Sequence, residues 1–441
     1  MSERKYYKKQ IVSLMDSINS RILERATLTK LIFLTIFSKH HIMLFGVPGV
    51  GKTYAINTIM QSIDGESAWE IVMSKETKLN QLIPEPQRNP QEVLTDDRCI
   101  LSKKFIFLDE MFKGDQSVLN ALLPVLNERA YQLSGESFKI PLNSVFSASN
   151  EIPSDEFIEP FRDRILFWYD VKLLENNDSK KKFYQQKFDK GTPFEKTLNM
   201  EDVEYVNEYI SKTDSLKLND DMADIFAKIV NQLRKSSIKI SDRKTGGDFI
   251  LKALKTSAVL NDRDHVDESD LLLIKHCSWT NLSQRVTAFE AVENILFGSQ
   301  SNIQAKIFKT NANLNRTIGD FSIKTSDLLD LGKFLSYNDY KVAFNFLKEY
   351  KTNLDEISKQ IQEIEDDMNY RNSIVKKCLD NIFIGEDVYS CKIPYSIKKI
   401  QDEINNIMSM HELKIIEVSK FLDTFSSYEK YQFAYDKNNE I

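Results

Sequence analysis

The sequence predicts an α/β core, a parallel sheet with helices on both faces, followed by an all-α region that ends in long helices. Three observations carry this. Gly and Pro number only 13 and 10 among 441 residues, about 3% and about 2% where ordinary usage is roughly 7% and 5%, which marks a helix-rich chain. Short, nearly continuous apolar runs alternate with helical patterns as far as Ser149, as parallel strands covered on both faces do. After Val171 the strand signal ends and apolar positions take helical spacing.

The elements follow in order. Ile11, Leu14, Met15, Ile18, Ile22 and Leu23 recur at helical spacing, and Leu28, Leu31, Ile32 and Ile36 resume it, so two amphipathic helices precede the first strand. Strands are expected at His41–Phe45, Glu70–Met73, Phe105–Leu108 and Ser144–Ala148. Lys172–Pro193 reads as a polar connector, and Met200–Ser283 as a helical bundle. Past Gly298, one heptad seam runs through Leu354, Ile357, Ile361, Ile364 and Met368. A second runs through Ile397, Ile400, Ile404, Met408, His411, Ile415, Val418 and Leu422. Two helices of one antiparallel hairpin closing on each other account for both seams and are favoured over an intermolecular coiled coil. At ~150 residues per domain, three units are expected: an α/β core with N-terminal helices at 1–193, an all-α domain at 194–285, and a helical C-terminal module at 286–441.

Composition excludes several classes. A net charge of -6 supplies no global field for nucleic acid, which argues against a nucleic-acid partner. Cys99, Cys277, Cys378 and Cys391 lie far apart with no C-x-x-C pair, so neither a disulfide framework nor a zinc site is indicated. The adjacent pair His40-His41 lacks i,i+4 ligand spacing and reads as structural. Met1–Gln10 is polar and basic with no apolar segment behind it, unlike a secretory signal. The longest apolar runs, such as Leu31–Phe37, fall short of the roughly 20 residues that span a bilayer. A soluble cytoplasmic protein without a membrane segment is the expectation.

The most specific chemical feature is Gly46-Val47-Pro48-Gly49-Val50-Gly51-Lys52-Thr53, directly after an apolar strand and before the helical run that Tyr54 opens. Its glycines let backbone N–H groups converge on a polyphosphate, at the positive end of the following helix. Lys52 is expected to reach the β- and γ-phosphates of ATP, and Thr53 to sit on Mg²⁺. Asp109-Glu110 end the run Phe105–Leu108. That delivers Asp109 to the Mg²⁺ shell and Glu110 to an attacking water, beside the phosphate loop. Asn150 ends the next strand; it could hold the lytic water or a γ-phosphate oxygen, or begin a turn. Arg162 and Arg164 in Phe161-Arg162-Asp163-Arg164-Ile165 are each long enough to cross a subunit boundary, where an arginine stabilises phosphoryl transfer; the alternative is an ion pair with Asp163 or Glu159. Ser241 reads as an N-cap, with Arg243 in the first turn after it.

The order of these motifs resembles that of AAA+ ATPases of the MoxR family, in the RavA-like branch. The resembling stretches are Ile22–Ala26, Gly46–Thr53, Phe107–Gln132, Lys139–Pro153, Phe161–Val171, Ile240–Lys244 and Val266–Trp279, covering about residues 20–285. The resemblance implies an α/β P-loop AAA+ core, an all-α lid, and roles for Asn150 as sensor 1 and Arg243 as sensor 2. It makes Arg164 the favoured finger and Arg162 the second candidate. It further implies a Mg²⁺-dependent ATPase that forms a hexameric ring and remodels protein clients, alongside a partner with a von Willebrand factor A domain. Family insertions correspond to Pro84–Ser102 and to the hairpin Tyr131–Pro141, where the Tyr131 and Phe138 rings either pack together or face the ring axis. A nucleic-acid-linked motor and a nucleotide-gated scaffold with slow turnover are the alternative functions. Departures are Pro124 within the helix after Asp109-Glu110, which is expected to kink it, and Gly246-Gly247 in the first turns of the sensor 2 helix. Only Asn372–Pro394 separates the two seams, with a small hairpin over 382–384 and 388–393; that is too short for the inserted domain that binds lysine decarboxylase, so that partnership is not implied.

Overall fold

The computed structural model describes residues 3–64, 68–83, 90–133, 136–151, 153, 155–185, 194, 197–212, 216, 218–246, 249–298, 300–330, 337–391 and 401–420. Seven strands are present among them: β1 Ile42–Phe45, β2 Trp69–Val72, β3 Phe105–Asp109, β4 Ala130–Leu133, β5 Glu136–Lys139, β6 Ser144–Ser149 and β7 Phe167–Asp170. Five form one parallel sheet in the order β2-β3-β6-β1-β7. Every residue of β1 and β6 is buried, as in strands covered on both faces; β1 is apolar throughout, and β6 carries only serines among its apolar residues. Stacked rings fill the sheet faces, Phe45 on Trp168 at 5.7 Å and Phe105 on Phe146 at 6.0 Å. The helix Ala26–Ser38, buried along most of its length, packs against the helices Met200–Lys212 and Ile250–Leu260.

The four expected strands are found within a residue or two. The fifth, β7, is not one of them: four residues pair with β1, from Ile42 opposite Phe167 to Phe45 opposite Asp170. A strand this short, following Arg164 without a turn signal, has too little periodicity to stand out. The stretch expected as a polar connector carries a helix, Asn177–Gln185, with no buried residue; 186–193 lie outside the described residues. The helix Gln116–Glu128 continues through Pro124. Tyr131 and Phe138 are cross-strand partners in the β4–β5 hairpin and meet edge to face at 5.9 Å. Pro84–Asn89 and Ser134-Gly135 of the expected insertions lie outside the described residues.

The chain divides into two compact units, Met1–Leu296 with Lys376–Val388, and Phe297–Val375 with Tyr389–Ile441. In the second, the helix Gln300–Asp330 shares one apolar core with both seams: Ile303, Ile307, Leu314 and Phe321 pack with Leu354, Ile361 and Met368, and with Ile404 and Val418. The expected two-helix hairpin is therefore a three-helix assembly. The 300–330 segment carries its apolar residues at wider intervals, so its share of the seam was not legible. Ile397, Ile400 and Leu422 lie outside the described residues.

Residues 376–388 belong to the first unit's core. Asn381 donates to Ser269 Oγ at 2.9 Å and Asp270 Oδ1 at 3.1 Å, and accepts from Asn261 Nδ2 at 3.0 Å and the Phe383 N–H at 2.9 Å. Lys30 donates to the Ile384 carbonyl at 2.8 Å and pairs with Asp387 at 2.9 Å. The expected small hairpin is absent from the described residues here; Gly385–Ser390 form a 3₁₀ turn.

Candidate functional site

A parallel sheet has two chemically distinct edges, and the described residues divide between them. At the carboxyl edge, the loop Gly46–Gly51 leaves β1 and enters the helix Lys52–Met60. Gly49 and Gly51 both take φ of 82°, open to glycine at no steric cost. Gly46 is constrained differently: a Cβ there would stand 2.5 Å from the Val171 carbonyl oxygen. Thr53 Oγ1 donates to Asp109 Oδ2 at 3.2 Å, joining the helix start to the end of β3. Lys52 Nζ donates to the carbonyl oxygens of Gly46 at 2.6 Å and Val47 at 3.4 Å. Burial lowers the Lys52 pKa, and the carboxylates of Glu110 and Asp109 oppose that shift.

Glu110 adopts a left-handed backbone, φ 53°, a conformation that costs a non-glycine residue about 1–2 kcal/mol and recurs where function requires it. Its Oε2 lies 3.4 Å from Lys113 Nζ and accepts from the Asn150 N–H at 3.4 Å. Because β6 lies between β1 and β3, Asn150 stands between the phosphate loop and the acidic pair. Its Oδ1 is buried without a hydrogen-bond partner, an acceptor suited to an O–H donor. Oxygen donors from Thr53 and Asp109 suit a hard cation such as Mg²⁺, and the glycine loop with Lys52 suits a polyphosphate.

Arg162, Arg164 and Arg243 lie elsewhere. Lys39, His40 and His41 enter β1, and Arg164 precedes β7, so these residues mark the amino edge. There they line a cavity of about 1220 Å³ together with Arg129, Arg243, Lys252 and Lys255. Arg164 and Arg243 share this cavity; burial, and then the Arg243 charge, lowers the Arg164 pKa. Arg243 hydrogen-bonds Asn127 and lies over the Phe249 ring. Arg162 instead turns inward, with Nε donating to Thr280 Oγ1 at 3.3 Å and Glu159 4.0 Å away. Ser241 accepts from the Lys244 N–H at 3.1 Å, as an N-cap does, and the short helix stops at Gly246 before a second begins at Ile250. The glycine therefore ends a helix; Gly247 lies outside the described residues.

A family model described as the MoxR domain of MoxR-vWA-beta-propeller ternary systems matches residues 9–206, and an AAA lid domain matches 221–292. An uncharacterized protein of Methanocaldococcus jannaschii is 31% identical over 271 residues, 60% of this chain and 70% of that one. The chain belongs to the MoxR family of AAA+ ATPases. A second uncharacterized M. jannaschii protein is 28% identical over 311 residues, 69% of this chain and 80% of its own. The chaperone MoxR1 of Mycobacterium tuberculosis is 28% identical over 146 residues, 31% of this chain and 37% of that one. Among solved structures, a Cytophaga hutchinsonii protein superposes with a TM-score of 0.53 over 67% of this chain and 96% of its own, at 18% identity, a likeness of fold.

Sequence reasoning gave no role in this MoxR protein to Arg25, which it placed only within the stretch Ile22–Ala26. Arg25, buried at the start of the helix Ala26–Ser38, donates from Nη2 to the carbonyl oxygens of Val50 at 3.0 Å and Lys172 at 2.7 Å. It ties the phosphate loop to the chain leaving β7. The one local hint was a charged pair, Glu24-Arg25, immediately before an apolar helix. His41 accepts from the Val145 N–H at 3.0 Å and bonds the Leu126 carbonyl at 2.8 Å. Burial takes both His40 and His41 down to about 3, so each ring is neutral and structural, as the spacing suggested. All four cysteines are buried and outside any disulfide. Among the described residues no helix is long and apolar enough to cross a membrane.

Proposed function

We propose that this protein is a Mg²⁺-dependent ATPase that works as a ring of identical subunits, hydrolysing ATP at the carboxyl edge of one sheet with arginines supplied from the amino edge of the next. The separation of these two groups carries the reading. The six residues of β6 extend about 20 Å at roughly 3.3 Å per residue, farther than an arginine side chain reaches. Arg164 and Arg243 therefore have no route to the phosphate loop of their own chain, and a neighbouring copy gives them one.

The roles follow from the contacts. The N–H groups of Gly49–Thr53 receive the β- and γ-phosphates, and Lys52 exchanges two neutral carbonyl acceptors for charged phosphate oxygens, a stronger bond. Thr53 and Asp109 hold Mg²⁺, which screens the phosphate charge. The lytic water donates one proton toward Asn150 Oδ1 and another to Glu110. Its oxygen bonds to the γ-phosphorus as the bond to the ADP oxygen breaks. Arg164 of the adjacent subunit, with Arg243 beside it, stabilises the charge that develops, a contribution of ~10³–10⁵ for an arginine acting in this way. Tyr54 and the remaining loop residues Val47, Pro48 and Val50 complete the nucleotide cradle.

Chaperone-like remodelling of a protein client, with a partner bearing a von Willebrand factor A domain, fits the relatives' names. The RavA-like placement rests on the ordered set of stretches from Ile22–Ala26 to Val266–Trp279. The three domains of the sequence stay part of this proposal, with residues 376–388 set in the first compact unit, and a cytoplasmic setting agrees with four cysteines outside any disulfide. The test is a Glu110→Gln protein, expected to bind ATP normally and lose ~10²–10⁴ in hydrolysis. Wild-type turnover by that variant would remove Glu110 as the base. Mixing Arg164→Ala with Lys52→Ala subunits is expected to restore part of the activity; no restoration at any ratio would end the trans reading.

A further inference from the structure

We propose that Lys244 is a positioning residue for the finger, fixing the turn that carries Arg164 and the helix that carries Arg243 as a single body. The proposal rests on the reading of Arg164 as an arginine acting across the subunit boundary.

Arg243 and Lys244 are neighbours in the four-residue helix Asp242–Thr245. Successive helical side chains point about 100° apart, so while Arg243 lines the cavity, Lys244 turns the other way. It is only 2% exposed. Its ammonium donates to the carbonyl oxygens of Arg162 at 2.9 Å and Ile165 at 3.4 Å. These two carbonyls bracket Arg164. Arg162 ends the helix Asp155–Arg162, where the last carbonyls lack intrahelical donors and attract a cation. The turn beyond it is held on its other side by Phe161, whose carbonyl accepts from the N–H groups of Arg164 at 3.0 Å and Ile165 at 2.9 Å.

Burying an ammonium is costly, and an apolar side chain of similar length would fill the space without that cost. Met or Leu could not hold two carbonyls at defined places. Burial, the largest influence, lowers the Lys244 pKa to about 8, and the neutral amine still carries two N–H donors for two acceptors. The clamp therefore persists in either protonation state. Its consequence is geometric: Arg164 and Arg243 cannot shift independently, so lid movement carries the finger with it.

The test compares Lys244→Met, Lys244→Gln and Arg164→Ala in the full chain. Lys244→Met is expected to lower kcat by ~10²-fold, the usual cost of misplacing a group by about 1 Å, with KM for ATP within twofold of wild type. Lys244→Gln, which keeps one N–H donor group, should fall between. The Arg164→Ala, Lys244→Met double variant should lose far less than the product of the two single losses, since once the finger is gone the clamp positions Arg243 alone. Mixed with Glu110→Gln subunits, Lys244→Met subunits should regain activity, because their intact phosphate loops then meet correctly held fingers. Unchanged kcat, an effect that multiplies with Arg164→Ala, or no regain on mixing would each overturn the proposal. If Lys244→Met does not fold, Lys244→Gln carries the same comparisons. An Arg164→Ala protein with wild-type kcat would instead overturn the finger reading, a result distinct from loss in Arg164→Ala with none in Lys244→Met.

Discussion

Replacing Arg25 with Met keeps most of the side chain's length and removes every hydrogen bond it donates. Three are at stake: the Glu24 carbonyl at 3.0 Å, the Val50 carbonyl at 3.0 Å and the Lys172 carbonyl at 2.7 Å. A bond from a charged donor contributes about 1.5–3 kcal/mol. Only the Val50 contact acts on the phosphate loop itself, so nucleotide binding should lose that one share, about 10–100-fold in Kd at 1.4 kcal/mol per decade. The contact to Lys172 acts on the fold, and with Glu24 it should lower core stability by about 3 kcal/mol. Titration of a fluorescent ATP analogue reads the first quantity, and urea unfolding followed by tryptophan emission reads the second. Arg25→Lys should be intermediate, because the shorter lysine keeps a charge and N–H donors but lacks the planar, fixed fork of the guanidinium. A Kd within twofold of wild type for Arg25→Met would refute the assignment of Arg25 as a support of the loop.

Other outcomes are equally specific. Gly46→Ala drives a Cβ to 2.5 Å from the Val171 carbonyl oxygen, whereas at Gly49 nothing lies within 4 Å of the added atom. The first should cost about 2–4 kcal/mol and the second only its backbone strain, about 1–2 kcal/mol; nucleotide-free melting midpoints in the opposite order would contradict this. His40 and His41 are held neutral, at about 3, below the unfolded value of about 6.5. The unfolded chain therefore takes up protons first as pH falls, and stability drops from pH 6.5 downward, by about 1.4 kcal/mol per ring at pH 5.5. NMR titration of the ring protons should show neither ring titrating above pH 5. Asn381→Ala leaves the buried Asn261, Ser269 and Asp270 short of a partner, and should destabilise the first unit by about 3 kcal/mol. An unfolding midpoint unchanged from wild type would show that the knot contributes nothing net.

Local chemistry was legible where a residue's neighbours in sequence are also its neighbours in space. The loop Gly46–Thr53 and the acids after β3 belong to that class, because strand, turn and helix follow each other without interruption. The central strands were legible for a related reason: burial on both faces leaves β1 apolar throughout, β3 apolar as far as Leu108, and β6 with no polar residue larger than serine. What stayed hidden depends on distant pairing. Arg25 reads as an ordinary surface charge until Val50 and Lys172 are brought to it. Arg243 and Arg164 are 79 positions apart in the chain (243 less 164), and their shared cavity at the amino edge follows only from the return paths of the helices. The Lys244 ammonium is the sharpest case, since a lysine after Asp-Arg at a helix start gives every sign of solvation.

The return of residues 376–388 to the first unit bears on how this protein can be shortened. The chain leaves that unit at Phe297 and comes back at Lys376. A cut placed at the last residue of the family lid region would delete the later chain wholesale, and Asn381 with it. The helix Ile250–Leu260 and the turn at Asp267–Asp270 would then display Ser257, Asn261 and Asp270 to water, along with the apolar bed of Cys378, Phe383 and Ile384. Such a fragment would aggregate for reasons unrelated to the loss of the helical module. A deletion that removes both 297–375 and 389–441 and rejoins Leu296 to Lys376 through a flexible linker keeps the knot, and separates what the helices do from what their anchoring segment does.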